Sequence, residues 1–352
     1  MNQNFKNILK YNSLNILLTS VGRRDYLVNY FKEAVKPYNG KIHAINSCES
    51  TGIITADESQ LSPLIHEESY KEFLFDYCIK HKITCIIPLF DIDLPVLSKL
   101  KNKLNEINVT TIVADLSFIK ISRDKWKTQK FLRDNNLNTV PSFLKPEDCL
   151  HAIKLNNSKF PVFVKPRWGM GSISVFKAEN EEELFFFNKQ VKKEIKKNYL
   201  KYESQIDIYN SVIIQEKLPG FEYGLDIIND LNGEYQTTIV KNKITMRSGE
   251  TDSAIIVSNP ILERIGEHIG RISKHPGNMD MDVFFDGKNA YVLEMNARFG
   301  GGYPFSHSAG VKLPTAIVNW MLGIPVSKKH HLTPKVGTKA MKGIKIINGI
   351  YS

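Results

Sequence analysis

The chain has 352 residues, 42% of them hydrophobic and 24% charged, with four cysteines and a formal net charge of +10. That size and balance suit two or three folded domains and exclude a mostly disordered chain. No apolar run approaches the ~18–20 residues that cross a bilayer. The polar stretch Met1–Tyr11 lacks the apolar centre of a signal peptide, and Cys48, Cys78, Cys85 and Cys149 show no CxxC spacing. The expectation is a cytoplasmic chain with free thiols and no membrane partner.

The first 115 residues alternate short apolar runs with helical patterns. Asn15–Ser20 reads as a buried strand, Val21–Asp25 as a turn and Tyr26–Ala34 as an amphipathic helix. Lys41–Ile45, Thr84–Pro88 and Thr110–Ala114 read as further strands, with helices over Tyr70–Lys80 and Asp93–Leu104. Such alternation predicts a parallel, doubly wound sheet whose ligand crevice lies at the strand C-termini, near Ser20–Arg24 and Leu89–Asp93.

From Ser122 the texture changes. Ser122-Arg123-Asp124-Lys125 opens a helix with Ser122 as its N-cap, and β-rich segments follow: Val162–Lys165, Ser174–Lys177, Ser211–Glu216, Tyr223–Ile228, Tyr235–Val240, Ala254–Val257, Asp282–Phe285 and Ala290–Met295. Helices are expected near 181–199, 260–274 and 313–322. This pattern predicts an α+β region rather than a second Rossmann-like unit. The five lysines of Lys189–Lys197 fall at helical spacing and read as a solvated face. Without an aromatic-interleaved basic stripe, the positive charge points to small anions and not to nucleic acid.

The strongest chemical signal is Asp282-Val-Phe-Phe-Asp286-Gly-Lys-Asn289-Ala-Tyr-Val-Leu-Glu294-Met-Asn296-Ala-Arg298. Two strands flank an Asp-Gly turn. A short loop sets Asp282 nearly opposite Glu294, while Glu294 and Asn296, two apart, share a face. Two carboxylates and an amide oxygen make a hard-oxygen set suited to Mg²⁺, and Arg298 falls next on that face to meet a phosphoryl group. Taken singly, each residue is equally a charged outer position of a hairpin.

Two weaker segments accompany it. In Val164-Lys165-Pro166-Arg167-Trp168-Gly169-Met170-Gly171-Ser172, a lysine ends an apolar strand and a glycine loop follows, so backbone N–H groups can form a phosphate nest. The loop matches neither a Walker nor a Rossmann fingerprint, and alone it is equally a turn. In Ile214-Gln215-Glu216-Lys217-Leu218-Pro219-Gly220-Phe221-Glu222, the backbone at Lys217–Leu218 offers pairing to an adenine edge and Glu216 or Glu222 acceptance from ribose. On spacing alone it is an ordinary hairpin.

In this order the segments resemble the ATP-grasp superfamily over roughly residues 14–325, most closely single-module relatives of the carbamoyl-phosphate synthase large chain and biotin carboxylase. The resemblance implies a pre-ATP-grasp Rossmann-like α/β domain over 1–118, then an α+β ATP-grasp fold over 119–325. Within that fold it implies a small lid at about 140–218 and a larger subdomain at 219–325, leaving 326–352 as a short extension. It implies ATP and Mg²⁺, with Mn²⁺ as an alternative, as cofactors. Lys125 and Lys165 are then nucleotide-binding lysines and Gly169, Gly171 and Ser172 the closing loop. Glu216, Lys217, Leu218 and Glu222 become the adenine and ribose hinge, Asp282, Glu294 and Asn296 the metal ligands, and Arg298 the reaction-centre arginine. Asp280 is a rival first ligand. Arg247 stands where the synthase has a histidine and is a candidate helper. Arg298-Phe-Gly-Gly-Gly-Tyr-Pro is typical of stand-alone carboxylate–amine ligases.

The activity so implied is ADP-forming ligation of a small-molecule carboxylate to an amine through an acyl-phosphate, with positioning and charge neutralisation by Lys165, Arg298 and Arg247. A homodimer through the N-terminal unit is the family's implication for assembly. The rivals are bicarbonate or carbamate phosphorylation, a non-catalytic ATP-binding regulator, and a nicotinamide enzyme. Thr19-Ser20-Val21-Gly22-Arg23-Arg24 lacks the three-glycine fingerprint that the last requires.

Overall fold

A computed structural model describes residues 14–348, and the expectation for Met1–Tyr11 lies outside the described residues. The N-terminal sheet contains β1 (Asn15–Thr19), β2 (Ile42–Asn46), β3 (Glu58–Leu61), β4 (Ile83–Pro88) and β5 (Thr110–Thr111), all parallel in the order β3-β2-β1-β4-β5. Its central strand is buried throughout, with an apolar middle at Ile16–Leu18, because both faces are covered. Ile16 and Leu18 enter one core with the helix Asp25–Val35, while Leu17 enters another with Ser69–Lys80 and Asp93–Glu106. The order reverses on either side of β1, so the crevice opens where β1 and β4 end, at the predicted turns. The exposed edge strand β3 has no apolar run to announce it.

A four-stranded sheet follows: β6 (Ser142–Phe143), β7 (Val162–Pro166), β8 (Phe176–Ala178) and β9 (Val212–Glu216), in the order β6-β9-β7-β8. The helix Glu181–Lys197 packs on it through Leu184, Val191 and Ile195 and leaves Lys189, Lys192, Lys193, Lys196 and Lys197 in solvent, as predicted for that lysine run. The helix Lys125–Asp134 is capped by Asp124 rather than by Ser122. Asp124 Oδ1 accepts from Trp126 N at 3.1 Å and Lys127 N at 3.3 Å, whereas Ser122 closes the preceding helix, Leu116–Ser122. A carboxylate has oxygens to spare for a second task, and Arg167 at the end of β7 grips the same group through Nε at 2.7 Å and Nη2 at 2.8 Å.

The largest sheet is antiparallel, in the order β14-β13-β10-β11-β12-β15, from β10 (Phe221–Asn229), β11 (Tyr235–Arg247), β12 (Glu250–Val257), β13 (Gly277–Phe285), β14 (Ala290–Asn296) and β15 (Lys339–Met341). One face buries Leu225, Val240, Met279, Met281 and Val283 under the helix Pro260–Ser273. Part of the other face, including Ile228, Ile239 and Ala254, shares a core with β1 of the N-terminal sheet and the helix Leu313–Leu322. The rest of that second face is polar and open. The last described element, β15, extends the sheet from within the extension expected at 326–352, so Lys339–Met341 belongs to the folded body.

Candidate active site

One irregularity aligns the acidic residues. From the hairpin loop at Asp286–Asn289, Phe285 pairs with Ala290, Phe284 with Tyr291 and Val283 with Val292. The ladder then slips by one residue, so Asp282 stands opposite Glu294 and Asp280 opposite Asn296. A regular ladder would set Leu293 against Asp282 and turn Glu294 to the core. Strand β10 adds Gly224 beside Asp282 and Asp226 beside Asp280, and β11 adds Lys241 beside Gly224.

This polar face floors an open cleft. Arg24, Phe90 and Asp91 wall it from the N-terminal sheet, Met170 and Gly171 from the glycine loop, and Gly249–Thr251 from the β11–β12 turn. Gly249 holds φ +78° at that turn, and a Cβ there would lie 2.8 Å from Ser172 Oγ, so the turn seats directly against the glycine loop. A Cβ on Gly300 would collide with the Asp280 carboxylate, so that position calls for glycine.

The charges interlock. Lys243 Nζ donates to Glu222 Oε1 at 2.5 Å and Asp282 Oδ1 at 2.6 Å. Lys241 Nζ lies 2.6 Å from Asp226 Oδ2, and Lys125 Nζ donates to Gly169 O at 2.6 Å and stands 3.6 Å from Glu294. Arg298 donates twice to Asp91 Oδ2, through Nε at 3.0 Å and Nη2 at 2.6 Å, with Asp280 at 3.7 Å. Burial lifts the Asp282 carboxyl to about 7 against the pull of Lys243, with Asp280, Glu294 and Glu222 adding to the rise. Burial would lift Glu294 too, but Lys125, Lys165 and Lys243 hold it below the ordinary value. Lys165 is only 7% exposed and forms no ion pair with a described residue. Burial, with Lys125 behind it, lowers its ammonium to about 8.

Of the predicted site residues, Lys125, Gly169, Gly171, Asp282, Glu294, Asn296 and Arg298 line this cleft or the recess joined to it. Lys165 is buried within electrostatic reach of Glu294 and Asp282, and Glu222 joins through Lys243. Glu216, Lys217 and Leu218 stand apart where β9 leaves the small sheet. Glu216 accepts from Ser158 Oγ at 2.9 Å, and the Lys217 backbone N–H is already given to Pro161 O at 3.2 Å. Arg247 is not brought in: its side chain is 69% exposed and pairs with Asp252 at 3.3 Å. His307 is buried, stacked on Tyr30 at 3.5 Å and bonded to Tyr303. Asp93 is spent on Thr19 and Ser20 at 2.6 and 2.7 Å.

Sequence reasoning missed Lys241 and Lys243, because the strand expected to end at Val240 runs on to Arg247. Their spacing of two, continuing an apolar run, is the available signal. Among the described residues no trio of His, Cys, Asp or Glu is arranged as a metal cage. The donor set is instead two facing carboxylates and an amide, chemically fit for a hard cation, with Lys243 and Lys125 as the counter-charges that give way. No described helix is long and apolar enough to cross a membrane.

Comparison with known proteins agrees with this architecture. Residues 16–112 match the model of a PylC-like N-terminal domain, and residues 122–302 match an ATP-grasp domain. No curated protein sequence matches. Among solved structures, the biotin carboxylase domain dimer of Hydrogenobacter thermophilus 2-oxoglutarate carboxylase, in complex with MgADP, ADP and bicarbonate, superposes with TM-score 0.66 at 20% identity, over 88% of this chain and 69% of that one. The L-amino acid ligase of Bacillus licheniformis gives 0.63 at 17% identity, covering 88% and 74%. The ADP complex of Staphylococcus aureus N5-carboxyaminoimidazole synthetase gives 0.66 at 15%, covering 89% and 78%. The predicted order of a Rossmann-like unit and an α+β grasp fold holds, and with just over half of its length matched by the domain model, the chain belongs to the ATP-grasp family.

Proposed function

We propose that the protein is an ATP-dependent, ADP-forming carboxylate–amine ligase that works through an acyl-phosphate. The observation that carries the reading is the slipped register that faces Asp282 with Glu294 and sets Asn296 and Arg298 beside them over an open cleft. The ADP or MgADP bound by two of the similar structures supports the choice of nucleotide.

In this reading Asp282, Glu294 and Asn296 hold Mg²⁺, which supplies charge neutralisation at the phosphate oxygens. Asp282 takes the first ligand's role because it, rather than Asp280, stands opposite Glu294. Lys165 and Lys125 grip the nucleotide phosphates, and the loop at Gly169–Ser172 covers them against the Gly249 turn. Arg298, its fork fixed by Asp91, orients the substrate carboxylate and the phosphoryl group it receives. A carboxylate oxygen bonds the terminal phosphorus as ADP departs. The amine nitrogen then bonds the acyl carbon, and phosphate leaves with the electrons of the broken C–O bond. Of the two protons shed by the ammonium, one ends on phosphate and the other in solvent. The chain's part is placement and charge, and no side chain forms a covalent bond.

Two measurements test this. ADP release from Mg·ATP is expected to require both a carboxylate and an amine when small acids, amino acids and bicarbonate are offered singly and in pairs. Stimulation by bicarbonate alone, or by nothing, overturns the ligase reading. Lys165 supplies the second. Its ammonium is charged below about pH 8 and neutral above it, so kcat/KM for ATP falls as pH rises through 8. Because bound phosphate restores the lysine's affinity for its proton, kcat changes less. Lys165→Met flattens that limb, and a limb that survives the substitution assigns it elsewhere.

A further inference from the structure

Two charged residues that line the same cleft, Arg24 and Glu250, have no part in the phosphate chemistry. Arg24 comes from the turn after β1, and Glu250 is the first residue of β12. The other cations of the cleft are matched: Arg298 by Asp91, Lys243 by Asp282 and Glu222, and Lys241 by Asp226. Arg24 is the exception. Its guanidinium donates to the Leu89 carbonyl and lies beside the Tyr26 hydroxyl, both neutral, and no carboxylate among the described residues pairs with it. Glu250 presents the opposite charge and already holds an amine: the Lys342 ammonium, from just after β15, donates to Glu250 Oε2 at 3.1 Å. That ammonium sits over Gly301, where a Cβ would lie 3.7 Å from Nζ. Burial pushes the Glu250 carboxyl up, but Lys342, and behind it Arg23 and Arg24, outweigh this and keep it ionised.

An anion that already accepts an ammonium, lining the same cleft as a guanidinium that no carboxylate pairs, is complementary to a zwitterion. We propose that this part of the cleft is the acceptor subsite and takes an α-amino acid, its ammonium on Glu250 in place of Lys342 and its carboxylate on Arg24. The assignment rests on the ligase reading and adds to it the class of the amine substrate and the residue that selects it. The carboxylate on Arg24 is a spectator and survives into the product. Arg24 is therefore a specificity residue, and Lys342 a tail side chain that occupies the amine's seat until substrate displaces it.

The experiment measures ADP release for L-amino acids, their α-amides and the corresponding decarboxylated amines, each with the acid that supports turnover. Wild type is expected to favour the amino acid over its amide by about 100-fold or more in kcat/KM. Arg24→Gln lowers use of the amino acid by a similar factor, far more than it lowers use of the amide, and so erases the preference. Arg24→Lys, which keeps a charge, retains part of it. Lys342→Ala lowers KM for the amino acid. If no acid and amine pair releases ADP, the ligase reading itself fails, and this assignment with it. If pairs do release ADP but the acid-to-amide ratio is small, or is unchanged in Arg24→Gln, the acceptor assignment alone is overturned.

Discussion

Glu294→Gln and Asp282→Asn are each expected to cut Mg·ATP turnover by about 1000-fold, and Asp282→Asn to do so without lowering the thermal midpoint of the metal-free protein. Both substitutions keep the shape of the side chain and remove only its charge. Without a metal, Asp282 stands among Asp280, Glu294 and Glu222, and burial with this crowding already raises its carboxyl to about 7. A carboxyl raised in the fold above its unfolded value near 4 costs stability increasingly as pH climbs between the two, and the full cost applies above 7. Asparagine removes that cost, while Lys243 keeps Glu222 as its partner. Catalysis and stability are therefore expected to part at pH 8: activity collapses, the midpoint holds or rises, and the stabilisation that Mg²⁺ gives the wild type disappears. Paired loss of activity and folding would make these carboxylates structural, and retained turnover in both variants would remove the metal assignment.

Much of this site could be read from residue order, for reasons visible at particular positions. The crevice at Ser20–Arg24 and Leu89–Asp93 follows from strand alternation alone, because a parallel sheet opens where its order reverses, and Arg24, Phe90 and Asp91 do line the cleft. The pairing of Asp282 with Glu294 was legible only approximately. Its alignment depends on a one-residue bulge, whose trace in the sequence is that buried Val292 and Met295 stand three apart. Where tertiary partners decide, local pattern fell short. Ser122 is a good cap by type, yet Asp124 wins because Arg167, forty-three residues on, holds its second oxygen. Arg247 has the right charge, but the long β11 carries it to a solvent-exposed hairpin tip. Lys241 and Lys243 look like the end of a strand and become its polar face only because Asp226, Glu222 and Asp282 stand on neighbouring strands to receive them.

Asp91→Asn is expected to be the most damaging change outside the acidic floor, because Asp91 lies in the N-terminal sheet domain and Arg298 at the far end of the chain's other half. Both side chains are under a tenth exposed, and two Arg298 N–H groups converge on Asp91 Oδ2. Burial acts to raise the Asp91 carboxyl, but the Arg298 guanidinium outweighs it and holds the group below the usual range. The sign follows: the pair's stabilisation is complete above the unfolded value near 4 and is lost as acid takes pH down through the lower folded value. Asparagine keeps the shape and leaves Asp280, at 3.7 Å, as the one carboxylate paired with Arg298 among the described residues, so removal of one partner costs about 3–5 kcal/mol. Arg298→Met leaves Asp91 stranded at similar cost, and the double variant is expected to be milder than the two losses added, since neither buried charge remains. Kinetics separates structure from positioning. If Asp91 serves to aim the guanidinium, Asp91→Asn lowers kcat at temperatures where the variant is fully folded, and KM for ATP moves little. A variant with wild-type kcat and a lowered midpoint would make the pair a clamp between domains and nothing more. Strict additivity of the two single changes would show that the side chains do not act as a pair.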